Sequence, residues 1–576
     1  MMYATADRCP DFVAFEVLDP SGRRKVTAPQ FATQVTAVAK GLIATGIEAG
    51  DRVAIMAGTS FEWVLLDYAI WAAGACTVAI YESSSADQAG WILADSGAKL
   101  LVVENGEHYA TVARRPQRTP DLAETLRLDS DAVRELTARG AQIDDGVVAW
   151  RCGQVGPADP ATLIYTSGTT GRPKGVALTH ANLLSESGAG RRALSAMYSP
   201  GQRTLLFLPL AHVYARSISV GAFEAAVTVG HSADWSTLPQ QFAAFRPDFV
   251  LAVPRVFEKI FHGAEQRAHD SGRGRLFDRA VAIAVARSEA EDTGRSDLLL
   301  RLEHRLYEIL VYRRLRSALG GRCRAAISGG GPLDVRLNHF FRGIGMPIFE
   351  GYGLTETTSG ITINTIEHTR IGSVGRPLAG HQVTTAPDGE LLVSGPVVFA
   401  GYWNNPDPSS DVLTPDGWFR TGDLGAIDAD GFVWITGRKK EILVTAAGKN
   451  VSPAPLEQSV NSHPLVSQCM VVGDGKPFVG ALITLDAQAL PGWLERHALS
   501  ADLAVAELVD HPVLRSEIDS AVARANALVS RAEAIKKFRI LTSDWTLEAG
   551  ELTPKMSLKR NVVTQKYAGE IDALYA

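Results

Sequence analysis

A chain of 576 residues exceeds what one hydrophobic core sustains, so two or more domains are expected. Its 46% hydrophobic and 21% charged residues suit a water-soluble globular protein, and a formal net charge of −6 without a lysine or arginine run excludes a nucleic-acid footprint. The five cysteines (Cys9, Cys76, Cys152, Cys323, Cys469) stand singly, with no metal-binding spacing, which fits a reducing cytoplasm.

Met1 to Pro10 carries charges and no apolar run, so a secretory signal is not expected. Trp63 to Ile80 is interrupted by Asp67 and Gly74, and no stretch of about 18 uninterrupted apolar residues occurs. Insertion in a membrane is not expected; peripheral membrane contact stays open. The first half alternates predicted strands (Arg52–Met56, Cys76–Tyr81, Lys99–Val103) with helices (Phe61–Ala72, Ala86–Asp95). This rhythm predicts an α/β fold, a doubly wound parallel sheet with helices on both faces. Further strands are predicted at Ala161–Tyr165, Thr204–Leu208, Phe249–Val253, Ala325–Ser328 and Pro347–Glu350. Between Val256 and Leu319 lies a charged helical stretch, including Leu298 to Tyr307, read as a solvated insertion packing on the core. From Gly389 short strands predominate (Gly389–Val393, Gly401-Tyr-Trp, Phe432–Thr436), predicting a β-rich subdomain. A smaller, mobile α+β domain is expected after Gly437, giving domains 1–437 and 438–576, the second of about 140 residues.

The strongest local signal is Tyr165-Thr-Ser-Gly-Thr-Thr-Gly-Arg-Pro-Lys-Gly175. Its glycines admit close approach of an anion, Thr166, Ser167, Thr169 and Thr170 offer hydroxyls, and Lys174 adds a point charge. These features suit a triphosphate. Gly175 follows the lysine where a Walker A loop has Ser or Thr, so this is a different phosphate loop.

The loop resembles the signature of the adenylate-forming (AMP-binding) superfamily, and further motifs follow in that superfamily's order from about Val53 to Arg560. Resemblance implies that Thr166, Ser167, Gly168, Thr169, Thr170, Gly171 and Lys174 hold the ATP phosphates. Ser328-Gly-Gly-Gly-Pro332 resembles the loop against which adenine lies, through Gly329 and Gly330. In Gly351-Tyr-Gly-Leu-Thr-Glu-Thr357 the resemblance places Tyr352 on adenine, Thr355 at the α-phosphate, and Gly351 and Gly353 beside them. Glu356, with Thr166, would contact Mg²⁺. Asp423, in Gly417-Trp-Phe-Arg-Thr-Gly-Asp423, would bind both ribose hydroxyls, with Arg438 as a second contact and Lys440 as interdomain hinge. The chemistry is sound: a carboxylate accepts two hydrogen bonds from a diol, and a lone carboxylate binds Mg²⁺ together with phosphates.

Leu208-Pro-Leu-Ala-His-Val-Tyr-Ala-Arg216 and Val253-Pro-Arg-Val-Phe-Glu-Lys259 are similar to long-chain acyl-CoA synthetases. In that branch His212 would lie by the acyl carboxylate, and Arg216 occupies the position that guards the acyl tunnel, where some relatives carry tryptophan. A core histidine is the plainer alternative for His212. Ile348, Phe349, Ser359 and Ile361 suit an alkyl tail better than an amino acid. The implied activity is ATP-dependent formation of acyl-AMP from a long-chain fatty acid, then transfer to coenzyme A. Lys174, Glu356, His212 and a C-terminal lysine would be catalytic. Gly448 and Lys449 would meet coenzyme A, though Gly448 reads equally well as a turn glycine. The family's C-terminal lysine falls here on Ser557, flanked by Lys555 and Lys559. Lys555, next to Pro554, is assigned its role, with Lys559 second. The alternatives are an acyl-AMP ligase loading a carrier protein and a nucleotide-binding protein without catalysis.

Overall fold

The computed structural model describes residues 2–19, 22–166, 172–294, 297–500, 503–547, 549–553 and 557–576. Among them, two large sheets carry the N-terminal domain. The six-stranded sheet runs in the order Glu124–Arg127, Leu100–Val103, Arg52–Met56, Cys76–Ile80, Pro160–Thr166, Lys174–Thr179. All neighbours are parallel except the last pair. The nine-stranded sheet has a parallel centre built on Ile348–Tyr352, Ala325–Ser328, Phe249–Ala252, Arg203–Leu206 and Thr228–His231. Its ends turn antiparallel, at Thr362–Ile363 and Arg376–Pro377 on one side and at Val13–Asp19 with Gly22–Thr27 on the other.

The period of two in each strand sorts side chains between two cores. Val53, Ile55, Leu100 and Val102 join the cluster shared with the larger sheet, while Ala54, Met56, Leu101 and Val103 join a smaller one on the outer face. Packed in the shared layer are Phe15, Phe31, Phe61, Tyr68 and Phe223, ring against ring at 4.7–6.1 Å. Short side chains set the helix starts. Ser85 accepts from the backbone of Gln88 while Gln88 reaches back, and Thr179 and Asn182 repeat the device. The helix Ala86–Ser96 ends on Gly97, at φ +60°, where a left-handed turn favours glycine.

An antiparallel four-stranded sheet follows (Gln382–Thr385, Glu390–Ser394, Phe419–Ile427, Val433–Arg438). The smaller C-terminal domain is built on strands Val466–Val472, Val479–Leu485 and Ile535–Ile540. One face of this sheet buries Leu456, Val460, Leu514 and Ile518, the other Trp545, Val563 and Leu574. Gln458 donates to the Leu333 carbonyl at 3.0 Å and Arg496 to Gln266 at 2.8 Å, so the C-terminal part touches the larger domain.

Two expectations are corrected. Gly401-Tyr-Trp is not a sheet strand. Tyr402 makes only isolated bridges, because the Trp403 N–H donates to the Gly175 carbonyl at 2.7 Å and pins the segment to the phosphate hairpin. In the helix Leu298–Tyr307 the leucines do not pack on the core; Leu298, Leu299, Leu302 and Leu306 are exposed.

Glu186, on helix His180–Ala193, is buried against the Gly360 backbone and the Ser217 hydroxyl, and burial pushes its carboxyl up to about 8 from 4.5. The native state therefore keeps a proton that the unfolded chain releases, so this group's contribution to stability falls as pH rises from about 4.5 to about 8. Glu186→Gln should melt higher than wild type at pH 8, with the gap closing toward pH 4.5. Parallel melting-temperature profiles would show that Glu186 does not ionise this way.

Candidate nucleotide site

The phosphate motif is a hairpin connection. Strands Pro160–Thr166 and Lys174–Thr179 pair antiparallel, with Thr166 opposite Lys174. Ser167, Gly168, Thr169, Thr170 and Gly171 lie outside the described residues. The hairpin's base is held from three sides. Tyr165 donates its hydroxyl to Asp95 at 2.6 Å, Trp91 donates its indole N–H to the Pro173 carbonyl at 2.9 Å, and the Arg172 guanidinium sits 4.5 Å from the Trp91 ring. A Cβ on Gly175 would lie 3.0 Å from the Tyr165 ring and 3.2 Å from Trp403, so the strand is wedged between them.

Lys174 Nζ stands 4.9 Å from the centre of the Tyr402 ring, and the hydroxyl of the same tyrosine donates to Glu356 Oε1 at 3.0 Å. One side chain thus joins the lysine of the hairpin to the carboxylate of the next motif. Glu356 sits in the short turn Thr355–Thr357 that follows strand Ile348–Tyr352. The strand-to-turn passage needs glycine at 353, where a Cβ would fall 1.3 Å from the Ser359 carbonyl oxygen. Immediately afterwards Thr358 and Ser359 take φ of +55° and +99°, strained for residues with a Cβ. Thr358 donates to the Val397 carbonyl at 2.7 Å and the Phe399 N–H to the Glu356 carbonyl at 2.9 Å, so surrounding segments fix this turn. Thr355 is buried within it.

Asp423 and Arg438 face one another on adjacent strands. Asp423 Oδ1 pairs with Arg438 Nε at 2.9 Å, and Oδ2 accepts from the Tyr352 hydroxyl at 2.7 Å. Burial pushes the Asp423 carboxyl up, while Arg438 and Tyr352 pull it down. Tyr352, Asp423 and Arg438, separate in sequence, are thereby one cluster. Gly329 follows strand Ala325–Ser328 closely under Tyr214, whose ring a Cβ would approach to 3.1 Å; Gly330 has φ +81°. This loop is tied to the motif strand by Glu350, which accepts from the Leu333 N–H at 3.1 Å and Asn338 at 3.0 Å. Burial pushes Glu350 up to about 7.

His212 caps helix Val213–Glu224, its Nδ1 accepting from the Tyr214 N–H at 3.0 Å. The neutral ring therefore carries its hydrogen on Nε2. Arg216, expected at a tunnel gate, lies instead in the core, with its side chain 1% exposed and bound through two nitrogens to Asp67. It also donates to Thr162, and the Trp63 and Trp71 rings each lie 5.2 Å from its guanidinium. An arginine fully used by buried partners does not rim an opening. Ile348, Phe349 and Ile361, expected near an alkyl tail, belong to the main core.

Lys440 is exposed in the turn Lys439–Glu441 between the four-stranded sheet and the C-terminal residues. Gly448 closes a tight turn at φ +76°, its N–H donating to the Thr445 carbonyl at 2.8 Å, with open space around it. Lys449 pairs with Glu533 at 3.1 Å. Lys555 lies outside the described residues; of its described neighbours, the Thr553 N–H donates to the Ser557 carbonyl at 2.8 Å. Lys559 begins the next helix, its N–H donating to the Glu551 carbonyl at 2.7 Å, while Arg560 is paired with Glu457.

Sequence reasoning missed Tyr402, Glu350 and Asp67. The aromatic pair after Gly401 was a signal for the first, and Asp67 inside an apolar helix for the third. Nothing in the sequence separates Glu350 from an ordinary strand carboxylate.

The family model for the AMP-binding enzyme matches residues 2–403, and that for the AMP-binding enzyme C-terminal domain matches 440–576. The chain is 51% identical over 569 residues to the long-chain-fatty-acid–CoA ligase FadD15 of Mycobacterium bovis, covering 98% of this chain and 95% of that one. It is 31% identical to the long-chain-fatty-acid–CoA ligase ACSBG2 of Gallus gallus, over 96% of this chain and 78% of the relative. Among solved structures, the Bacillus subtilis O-succinylbenzoate coenzyme A synthetase in complex with ATP and magnesium superposes with a TM-score of 0.69 at 22% identity, covering 97% and 98% of the two chains. A Mycobacterium tuberculosis fatty acyl CoA synthetase gives 0.63 at 22% identity, covering 99% and 98%. With both parts matched and a full-length relative at half identity, the chain belongs to the AMP-binding enzyme family.

Proposed function

We propose that this protein joins a long-chain fatty acid to coenzyme A, using ATP and passing through acyl-AMP, with AMP and pyrophosphate released. The observation that carries the reading is the meeting of Lys174 and Glu356 across Tyr402, which sets a cation and a carboxylate beside a phosphate-type hairpin. The choice of fatty acid and of coenzyme A, rather than a carrier protein, rests on the full-length likeness to FadD15. A cytoplasmic location with peripheral membrane contact is part of this reading.

In the first step the acyl carboxylate attacks the α-phosphorus in line and pyrophosphate leaves. Positioning and charge stabilisation supply the catalysis. Lys174 places positive charge on the phosphates, together with the hydroxyls of Thr166 and the hairpin, and Thr355 donates to the α-phosphate. Asp423 exchanges the Tyr352 hydroxyl and Arg438 for the two ribose hydroxyls, which frees the Tyr352 ring to lie on adenine. His212 donates from Nε2 to the acyl carboxylate. Glu356 brings a single carboxylate, joined through Tyr402 to the lysine of the hairpin, and one such carboxylate fits Mg²⁺ held together with substrate phosphates. Bound there, Mg²⁺ supplies charge neutralisation for the leaving pyrophosphate. Lys555 adds a cation to the adenylation step. In the second step the thiol attacks the acyl carbon and AMP leaves. Residues 438–576 act as a mobile domain that turns about Lys440 against residues 1–437, presenting Gly448 and Lys449 to coenzyme A.

The reading is tested by measuring pyrophosphate release over a panel of acids, with and without coenzyme A. Release dependent on a long-chain acid, with acyl-CoA as product, is expected. Acid-independent ATP turnover, or acyl-AMP that never becomes acyl-CoA, would overturn it. Tyr402→Phe should keep the ring beside Lys174 and lose the bond to Glu356. A hydrogen bond to a charged group contributes about 1.5–3 kcal/mol, so kcat should fall about 10- to 100-fold while the KM for the acid changes little. An unchanged kcat would remove Tyr402 from the site.

A further inference from the structure

The leucine-rich segment after Asp297 carries exposed apolar side chains that the ligase chemistry does not use. Helix Leu298–Tyr307 runs into a π-helical turn, Glu308–Tyr312, and on into helix Arg313–Ser317. Its inner face is anchored by polar contacts. Tyr312 is fully buried and donates to the Ala280 carbonyl at 2.8 Å, His304 donates to the Gly343 carbonyl at 2.7 Å, and Arg316 to the Ile344 carbonyl at 2.6 Å. The outer face is apolar: Leu298, Leu299, Leu302, Leu306, Ile309 and Leu310 are 41–72% exposed. At about 100° per residue the four leucines of the α-helix fall within an arc of roughly 100°, and Ile309 and Leu310 follow them on the π-helical turn. Elsewhere among the described residues the exposed large apolar side chains form no such run. A row of six exposed apolar side chains is the kind of patch that marks a contact with a partner or a membrane.

Charge identifies the occupant. Residues 297–324 contain seven arginines against three acids, a local net charge of +4 on a chain of −6. Arg305, Arg313 and Arg314 are exposed in the same helical run as the leucines. An apolar stripe bordered by arginines is the signature of a helix lying in a lipid interface, where long basic side chains reach the headgroups. A second copy of this chain fits poorly, since a symmetric contact would oppose arginine-rich edges.

Resting on the peripheral membrane contact in the reading above, we propose that the face formed by Leu298, Leu299, Leu302, Leu306, Ile309 and Leu310 is the surface that docks the protein, and that it docks on an anionic lipid bilayer. The test needs no catalysis, so its failure is distinguishable from failure of the ligase reading. Full-length protein is sedimented with vesicles of phosphatidylcholine alone or with about 30% phosphatidylglycerol, at low and high salt. Binding to the anionic vesicles that fades in high salt is expected. Leu302→Asn with Leu306→Asn should weaken it at least about tenfold. Arg305→Gln and Arg313→Gln should each weaken it about fivefold. Both positions are exposed, and melting temperatures check that the variants stay folded. Absence of binding, equal binding to both vesicles, or binding unchanged in the leucine variant overturns the proposal. So does a concentration-dependent dimer that the leucine variant dissolves while vesicle binding is absent.

Discussion

The arrangement of the nucleotide side depends on a buried charge pair, Asp67 with Arg216. Their side chains are 3% and 1% exposed, and two charges removed from water are costly unless every polar edge is met. Here the edges are met. Arg216 binds both carboxylate oxygens, Thr77 donates to Oδ1 at 2.7 Å, Thr162 accepts from the guanidinium, and two indoles lie 5.2 Å from it. The pair ties helix Phe61–Ala72 and strands Cys76–Ile80 and Pro160–Thr166 to helix Val213–Glu224. Strand Pro160–Thr166 ends at the phosphate hairpin, and helix Val213–Glu224 starts at His212. One ion pair therefore links the strand that leads into the hairpin to the helix that His212 caps.

Around this strut the polar groups of the candidate site are tied to one another. Asp423 keeps Tyr352 and Arg438 as partners, and Glu356 keeps Tyr402. These bonds fix where the Asp423 and Glu356 carboxylates stand, so both groups are held in position by the fold. The left-handed backbone at Thr358 and Ser359 belongs to the same economy of position. The contacts to Val397 and Phe399 hold the turn against that strain, with Glu356 in reach of Tyr402.

Much of this was legible in the sequence. The α/β class, the strands Arg52–Met56 and Ala325–Ser328, and the family's motifs all follow from local patterns of apolar residues, glycine and hydroxyls. The edge hairpin Val13–Asp19 with Gly22–Thr27 was not, because Gly22-Arg-Arg-Lys25 is solvent-facing and carries no apolar run. Tyr402 was misread as a sheet residue, since its partners Gly175 and Glu356 are remote in sequence. Arg216 was assigned by family position, and its partner Asp67 lies 149 residues away, invisible to any local pattern. The leucines after Asp297 had helical spacing, but spacing does not say whether a stripe faces protein or something outside it.

The claim about the strut is tested most directly by a double-mutant cycle with Asp67→Leu and Arg216→Met, read by chemical denaturation. Either change alone strands a buried charge and should cost about 3–5 kcal/mol, while the double variant, an apolar pair of similar volume, should recover most of that loss. Losses that simply add, or single variants as stable as wild type, would contradict it.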